Sequence, residues 1–173
     1  TFTRGPDELG DLAAFLGRGG SAPDLARSDI RIFAEIVEAA ELSVDVILKK
    51  AEGLRAAGAD IIDLGCLPDT PFPHLEETVT ALKASGLQVS VDSADHDESK
   101  RGNRAGADFL LSLTEETLDI ASEGDATPIL IPSKPGDLDS LLRAMDAAEQ
   151  RGIAFFADPV LDPIHFGFTA SLL

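Results

Sequence analysis

The chain is short of positive charge, with 14 basic residues against 31 acidic ones, and it has one cysteine and neither tryptophan nor tyrosine. Each shortage excludes something. At a net charge of −17 the Lys and Arg that would neutralise phosphates are missing, which argues against nucleic acid as a partner. An acidic membrane surface would repel the chain for the same reason. The single thiol, Cys66, cannot build an internal disulfide framework and suits a reducing cytoplasm. No apolar run approaches the ~20 residues of a membrane span, and no signal-peptide pattern is present. The acidic residues are scattered rather than gathered in a tail, as on a solvated surface or in a protein from a salt-rich habitat.

What is present is enough for one domain with a sizeable core: 173 residues, 44% of them hydrophobic. Residues 1–28 are rich in Gly, Pro, Asp and Arg and read as a linker or N-terminal arm. The chain starts "TFTRGPDELG" without Met and stops in the apolar, uncapped "HFGFTASLL". This gives the expectation of a piece of a longer polypeptide.

From residue 29 the pattern becomes regular. Short apolar runs are expected as strands near 30–36, 60–65, 87–92, 107–112, 127–132 and 153–158. Their continuous rather than alternating apolar character fits a parallel sheet covered on both faces. Helical stripes lie between them. Ser43 is placed to cap Val44, Ile47, Leu48, Ala51 and Leu54; "HLEETVTALKASG" carries Leu75, Val79 and Leu82; "DLDSLLRAMDAAEQRG" carries Leu138, Leu141, Leu142 and Met145. Each stripe stops at a glycine (Gly58, Gly86, Gly152), which supplies a left-handed cap at low cost. The motif Ala-Gly-Ala-Asp, at 57–60 and again at 105–108, therefore reads as a helix end plus the turn into the next strand.

Strand, helix and strand in regular succession imply right-handed parallel crossovers, in either a doubly wound sheet or a (β/α) barrel of the TIM type. A glycine-rich phosphate loop after the first strand would favour the wound sheet, and "AEIVEAAELS" has none. The barrel is the expected fold, and with about six strands it is an incomplete one. An apolar edge is expected where further strands would sit, to be covered by an oligomer partner or further chain.

Every strand leaves a polar or small residue at its C-terminal end: Glu35, Asp63, Asp92, Ser112, Ser133 with Lys134, and Asp158. In a parallel barrel this is the end that carries the active site. A lone strand-end aspartate is as readily a cap or turn former. Three of them after buried runs ("IIDLG", "VSVDS", "FFADP") point to one shared cavity. A ring of carboxylates could hold Mg²⁺, or it could accept the paired N–H donors of a flat heterocycle.

The segments "AGADIIDLG", "VSVDS", "AGADFLLS" and "ADPVLDPIHFGFTASL", in that order, resemble the pterin-binding barrel family, which includes dihydropteroate synthase and the methyltetrahydrofolate corrinoid methyltransferases. With "IPSKPGDLDSL" the chain looks most similar to a dihydropteroate synthase-related branch linked to methanopterin-type metabolism, and the likeness covers residues 29–173. The resemblance implies a reduced pterin as ligand, in folate or methanopterin-type metabolism, and a transferase as the enzyme class. It also implies that Asp92 and Asp158 grip the ring, that Asp63 stands on the diphosphate and metal side, and that Ser112 replaces an Asn.

Several departures bear on activity. The loop "GCLPDTPFPHLEE" holds no Arg or Lys where the synthases have Ser-Thr-Arg-Pro, Val37 falls near the family's first-strand Asn, and the strands that supply the family's Lys and Arg are absent. Loss of diphosphate during substitution at carbon needs cations, so synthase activity by this chain alone is not expected. Two alternatives stay open: a non-catalytic pterin-binding module serving a partner, and a Mg²⁺-dependent barrel for another phosphorylated metabolite. Among the minor candidates, Cys66 is expected as filler, and His74, His96 and His165 share no metal-ligand spacing. The acidic "DSADHDES" at 92–99 is expected as a solvated loop, and Lys134 is the one strand-end cation that could meet an anionic ligand group.

Overall fold

The computed structural model describes residues 30–160. The expected arm at 1–28, His165 and the apolar C-terminal stretch lie outside the described residues. Six strands alternate with helices: β1 (Phe33–Ile36), α1 (Val44–Ala56), β2 (Ile61–Gly65), α2 (Leu75–Ala84), β3 (Gln88–Asp92), α3 (His96–Arg104), β4 (Phe109–Leu113), β5 (Thr127–Leu130), α4 (Leu138–Gln150) and β6 (Phe156–Ala157). A 3₁₀ segment, Glu115–Glu123, takes the place of a helix between β4 and β5. The strands form one sheet in the order β1-β2-β3-β4-β5-β6, every pair parallel. A doubly wound sheet would reverse direction at a switch point; this one never does. The architecture is an incomplete α/β barrel, as the sequence pattern implies. No described helix is long and apolar enough to cross a membrane.

The repeated Ala-Gly-Ala-Asp has a physical explanation. Gly58 and Gly106 adopt φ of 107° and 94°, a backbone region that a side chain would strain. Two residues on, each aspartate reaches back to the preceding strand: Asp60 Oδ2 accepts from Ile32 N–H at 2.8 Å, and Asp108 Oδ2 accepts from Val89 N–H at 2.8 Å. Asp108 is also held by Lys83 Nζ at 2.6 Å. The motif thus ends a helix and fixes the start of the next strand against its neighbour.

The main core lies between the sheet's outer face and the helices. Ile62, Leu64, Val89, Val91, Leu110 and Leu130 meet Ile47, Ala51, Leu75, Val79, Leu82, Leu141, Ala144 and Ala148. The inner face holds a second apolar set, in which Ile61 and Phe109 are buried and Phe33 and Phe156 are exposed. Phe109 on β4 contacts Phe33 on β1, with ring centroids 5.3 Å apart, and Phe156 on β6, at 6.2 Å. Adjacent strands are ~4.8 Å apart, so in a flat sheet β1 and β4 would be separated by about 14 Å. Rings that meet across that span require strong curvature toward a barrel.

Three expectations need correction. Residues 92–99 are not a solvated loop, because α3 begins within them: the Asp95 side chain accepts from Asp97 N–H and Glu98 N–H as an N-cap. The helix has no apolar stripe because it buries Glu98, Ser99, Gly102 and Asn103 instead. Gly102 allows that approach, since a Cβ there would lie 2.8 Å from Val91 Cγ2. In α4 the buried face is Leu141, Ala144 and Ala148, while Leu138 and Leu142 are 47% and 55% exposed. Ser43 does precede α1 as its N-cap, but its side chain makes no capping bond. At the two sheet edges, Val37 and Phe156 are exposed.

Candidate functional site

The inner face of the sheet becomes polar toward its C-terminal end. Strand register sets the rows: Glu35 pairs with Asp63 and Asp63 with Ser90, and one step further Gly65 pairs with Asp92. Phe33 and Ile61, two residues before Glu35 and Asp63, put apolar side chains on the same face below them. The carboxylates therefore rest on an apolar floor.

Two hydroxyls tie the acids in place. Ser90 Oγ donates to Asp63 Oδ1 at 2.6 Å, and Ser112 Oγ donates to Asp92 Oδ1 at 2.6 Å. Strict alternation along β4 would send Ser112 to the outer face with Leu110. A register shift between Leu110 and Leu113 prevents this, and Ser112 adopts φ of 61°. The bulge re-aims the hydroxyl inward, a device common beside functional sites.

Glu35 shares this surface. Its carboxylate lies over the Cα of Gly65, so that a Cβ at Gly65 would be 2.3 Å from Glu35 Oε1. The first-strand residue facing the site is thus Glu35; Val37 lies beyond the strand end and is 58% exposed. Asp63 is 5% exposed. Burial, opposed by the hydrogen bond from Ser90 and aided by the charges of Asp92 and Glu35, pushes its carboxyl up to about 6. None of the six described strands carries a Lys or Arg. Among the described residues no group of three His, Cys, Asp or Glu side chains is placed to hold a metal ion.

The structure joins Asp63, Asp92 and Ser112, and places the other two sequence candidates by different contacts. Asp158 follows β6, its N–H bonded to Leu130 C=O at 2.8 Å and its carboxylate accepting from Val160 N–H at 2.8 Å. Lys134 is exposed in the turn after β5, where its carbonyl accepts from Asp137 N–H at 3.0 Å. Ser133 Oγ donates to Glu116 Oε2 at 3.3 Å.

Beside the acid row, a cavity of about 420 Å³ opens between the loop after β2 and the start of α3. Cys66, Thr70, Ser93, Asp95, Glu98 and Arg101 are among its walls. It adjoins the acid row through Cys66 N–H, which bonds Asp92 C=O at 2.9 Å. Glu98 and Arg101 fix its shape and were not found in the sequence. Buried Glu98 accepts from Phe72 N–H at 3.0 Å and from Ser93 Oγ at 2.7 Å, joining the β2 and β3 loops. One turn on, Arg101 donates to Phe72 C=O at 2.9 Å and to Glu76 Oε1 at 2.8 Å. The loop that lacks its own cation is therefore clamped by one from α3. The signal was the Asp95-x-x-Glu98 spacing, a helix-start pattern hidden in an acidic run. Burial, followed by the charge of Glu98, pushes the Cys66 thiol up to about 12, so it is not a nucleophile at neutral pH. His74 Nε2 lies 2.7 Å from Leu42 C=O, a loop contact, and His96 is exposed at the start of α3.

Comparison with solved structures gives a consistent neighbourhood. The dihydropteroate synthase of Vibrio fischeri superposes with a TM-score of 0.62 at 19% identity, covering 76% of this chain and 62% of that one. The Burkholderia cenocepacia dihydropteroate synthase, solved with 7,8-dihydropteroate, gives 0.64 at 18% identity, covering 78% and 60%. The Yersinia pestis dihydropteroate synthase with a pterine-sulfa conjugate gives 0.62 at 20%, covering 79% and 60%. The chain thus has a dihydropteroate synthase-like fold, and it spans about three fifths of the length of these synthases. No protein-family model and no curated protein matches the chain.

Proposed function

We propose that the chain binds a reduced pterin at the C-terminal end of the barrel and acts in folate or methanopterin-type pterin metabolism. The observation that carries this reading is the inward pairing of Asp63 and Asp92 with Ser90 and Ser112 on a dihydropteroate synthase-like fold. An ionised carboxylate only accepts hydrogen bonds, and a pterin edge offers an amino group beside a ring N–H. Asp92, buttressed by Ser112, accepts such a pair, and Asp158 provides a second carboxylate from β6.

If the protein is an enzyme, it is a pterin-dependent transferase. A synthase reaction is not part of the proposal. Arg101, the cation beside the mouth, is already bound to Glu76 and to the Phe72 carbonyl, and none of the six described strands carries a Lys or Arg for a departing diphosphate. A pterin-binding subunit that serves a partner fits the same observation. Mg²⁺ would have to arrive with its ligand, since no described group of side chains is placed to hold it.

The test is calorimetric titration of the protein expressed from its full reading frame with a dihydropterin. Asp92→Asn and Asp158→Asn each turn an acceptor into a donor facing the ligand's own donors. Each is expected to weaken binding by one to two orders of magnitude, at roughly 1.4 kcal/mol per tenfold. Absence of binding by the wild type would remove the pterin reading.

A further inference from the structure

In the first strand the resemblance implies an amide near Val37, and the sequence puts an apolar side chain there. The structure replaces that loss with a charge. Glu35 stands in register with Asp63 on the inner face, and its carboxylate is seated over Gly65, 2.3 Å from where a Cβ there would stand. Asp92 is next to Gly65 on the following strand. Three carboxylates from three adjacent strands thus occupy two consecutive rows, and the six described strands bring no cation to offset them.

Consider a ligand seated on Asp92 and Ser112. A substituent directed along the inner face meets Glu35 and Asp63. A substituent directed outward enters the neighbouring cavity, which is walled by Asp69, Asp95, Asp97 and Glu98. The only cation in that wall, Arg101, is committed to Glu76 and to backbone carbonyls. In either direction an anionic substituent faces carboxylates, and like charges repel. A hydroxyl or amine in the same place donates to them.

We infer that Glu35 is a specificity residue: together with Asp63 it makes the site discriminate against a phosphorylated pterin and favour one whose side chain ends in a hydroxyl or amine. The inference rests on the pterin reading and adds the class of substituent the site accepts. It also gives the acidic inner face a role as a filter rather than as a metal cage.

The experiment titrates the protein expressed from its full reading frame with 6-hydroxymethyl-7,8-dihydropterin and with its diphosphate ester, each with and without Mg²⁺. The hydroxymethyl compound is expected to bind more tightly by about tenfold or more, a difference of roughly 1.4 kcal/mol. Glu35→Gln keeps the shape and removes the charge, and it is expected to narrow the ratio between the two ligands severalfold. Glu35 is an exposed residue, so the variant is expected to fold, and its melting temperature is measured alongside. Tighter binding of the diphosphate, in either metal condition, or a ratio unchanged by Glu35→Gln, overturns the inference while leaving the pterin reading in place. If neither compound binds, the pterin reading falls and this inference falls with it.

Discussion

The hydroxyl of Ser112 reaches the carboxylate of Asp92 at 2.6 Å from a backbone position with φ of 61°. A serine there holds two things at once: a strained left-handed residue and an inward hydrogen bond. Ser112→Gly removes the hydroxyl and relieves the backbone, so the two effects oppose, and its stability is expected within about 1 kcal/mol of the wild type. Ser112→Val loses the same bond and puts a β-branched residue in the left-handed region, at an expected cost of about 2–3 kcal/mol. Denaturant unfolding of the two variants checks this. Equal losses would mean that the bulge is not held in the left-handed conformation.

The aromatic floor gives a second prediction. Phe109 is 5% exposed and touches rings from both β1 and β6. Phe109→Ala is expected to cost about 3–5 kcal/mol, because the hole it leaves lies inside a curved sheet that cannot collapse onto it. The double variant with Phe33→Ala should lose less than the sum of the single losses, since the rings share one contact. Strict additivity would show that the two strands do not meet across the interior.

Asp63 makes stability depend on pH in an unusual direction. Its carboxyl is raised from 3.8 to about 6 in the folded chain, so between those values the folded state holds more protons than the unfolded state. The contribution of this group to stability is therefore fully present below about pH 4, falls as pH rises to about 6, and stays low above it. The shift corresponds to about 3 kcal/mol. Asp63→Asn keeps an acceptor for Ser90 and cannot ionise. Relative to the wild type it is expected to gain about 2–3 kcal/mol of stability between pH 4 and pH 7. A difference between the two proteins that does not change with pH would show that Asp63 titrates normally.

The twin Ala-Gly-Ala-Asp motifs should be unequal in energy. Asp108 bonds Val89 N–H and is paired with Lys83, with its side chain 22% exposed. Asp60 bonds Ile32 N–H at an exposed position. Asp108→Ala is expected to cost about 1–3 kcal/mol and Asp60→Ala less than about 1. Hydrogen exchange at the Val89 amide should accelerate in the first variant alone. A larger loss at Asp60 would contradict the assignment.

Much of this organisation is written locally. Apolar runs between glycine-stopped helices specify alternating β and α elements, because burial on both faces of a parallel sheet demands continuous apolar strands and helix ends need a left-handed residue. The acids at strand ends were visible for the same reason: a polar residue directly after a buried run stands out. Ser112 was visible with them, but the bulge that turns it inward was not legible, since alternation has period two and a bulge breaks that period without any mark in the residue types. Helix α3 escaped because its buried face is Glu98, Ser99, Gly102 and Asn103, which carries no apolar stripe to read. Glu35 in place of Val37, and Arg101 clamping a loop 28 residues earlier, are decided by strand register and by hydrogen bonds between distant segments. The sequence by itself determined which elements form and where the acids end each strand. Only the tertiary structure decided which acids share a surface, because curvature and register, not residue order, bring the side chains of separate strands together.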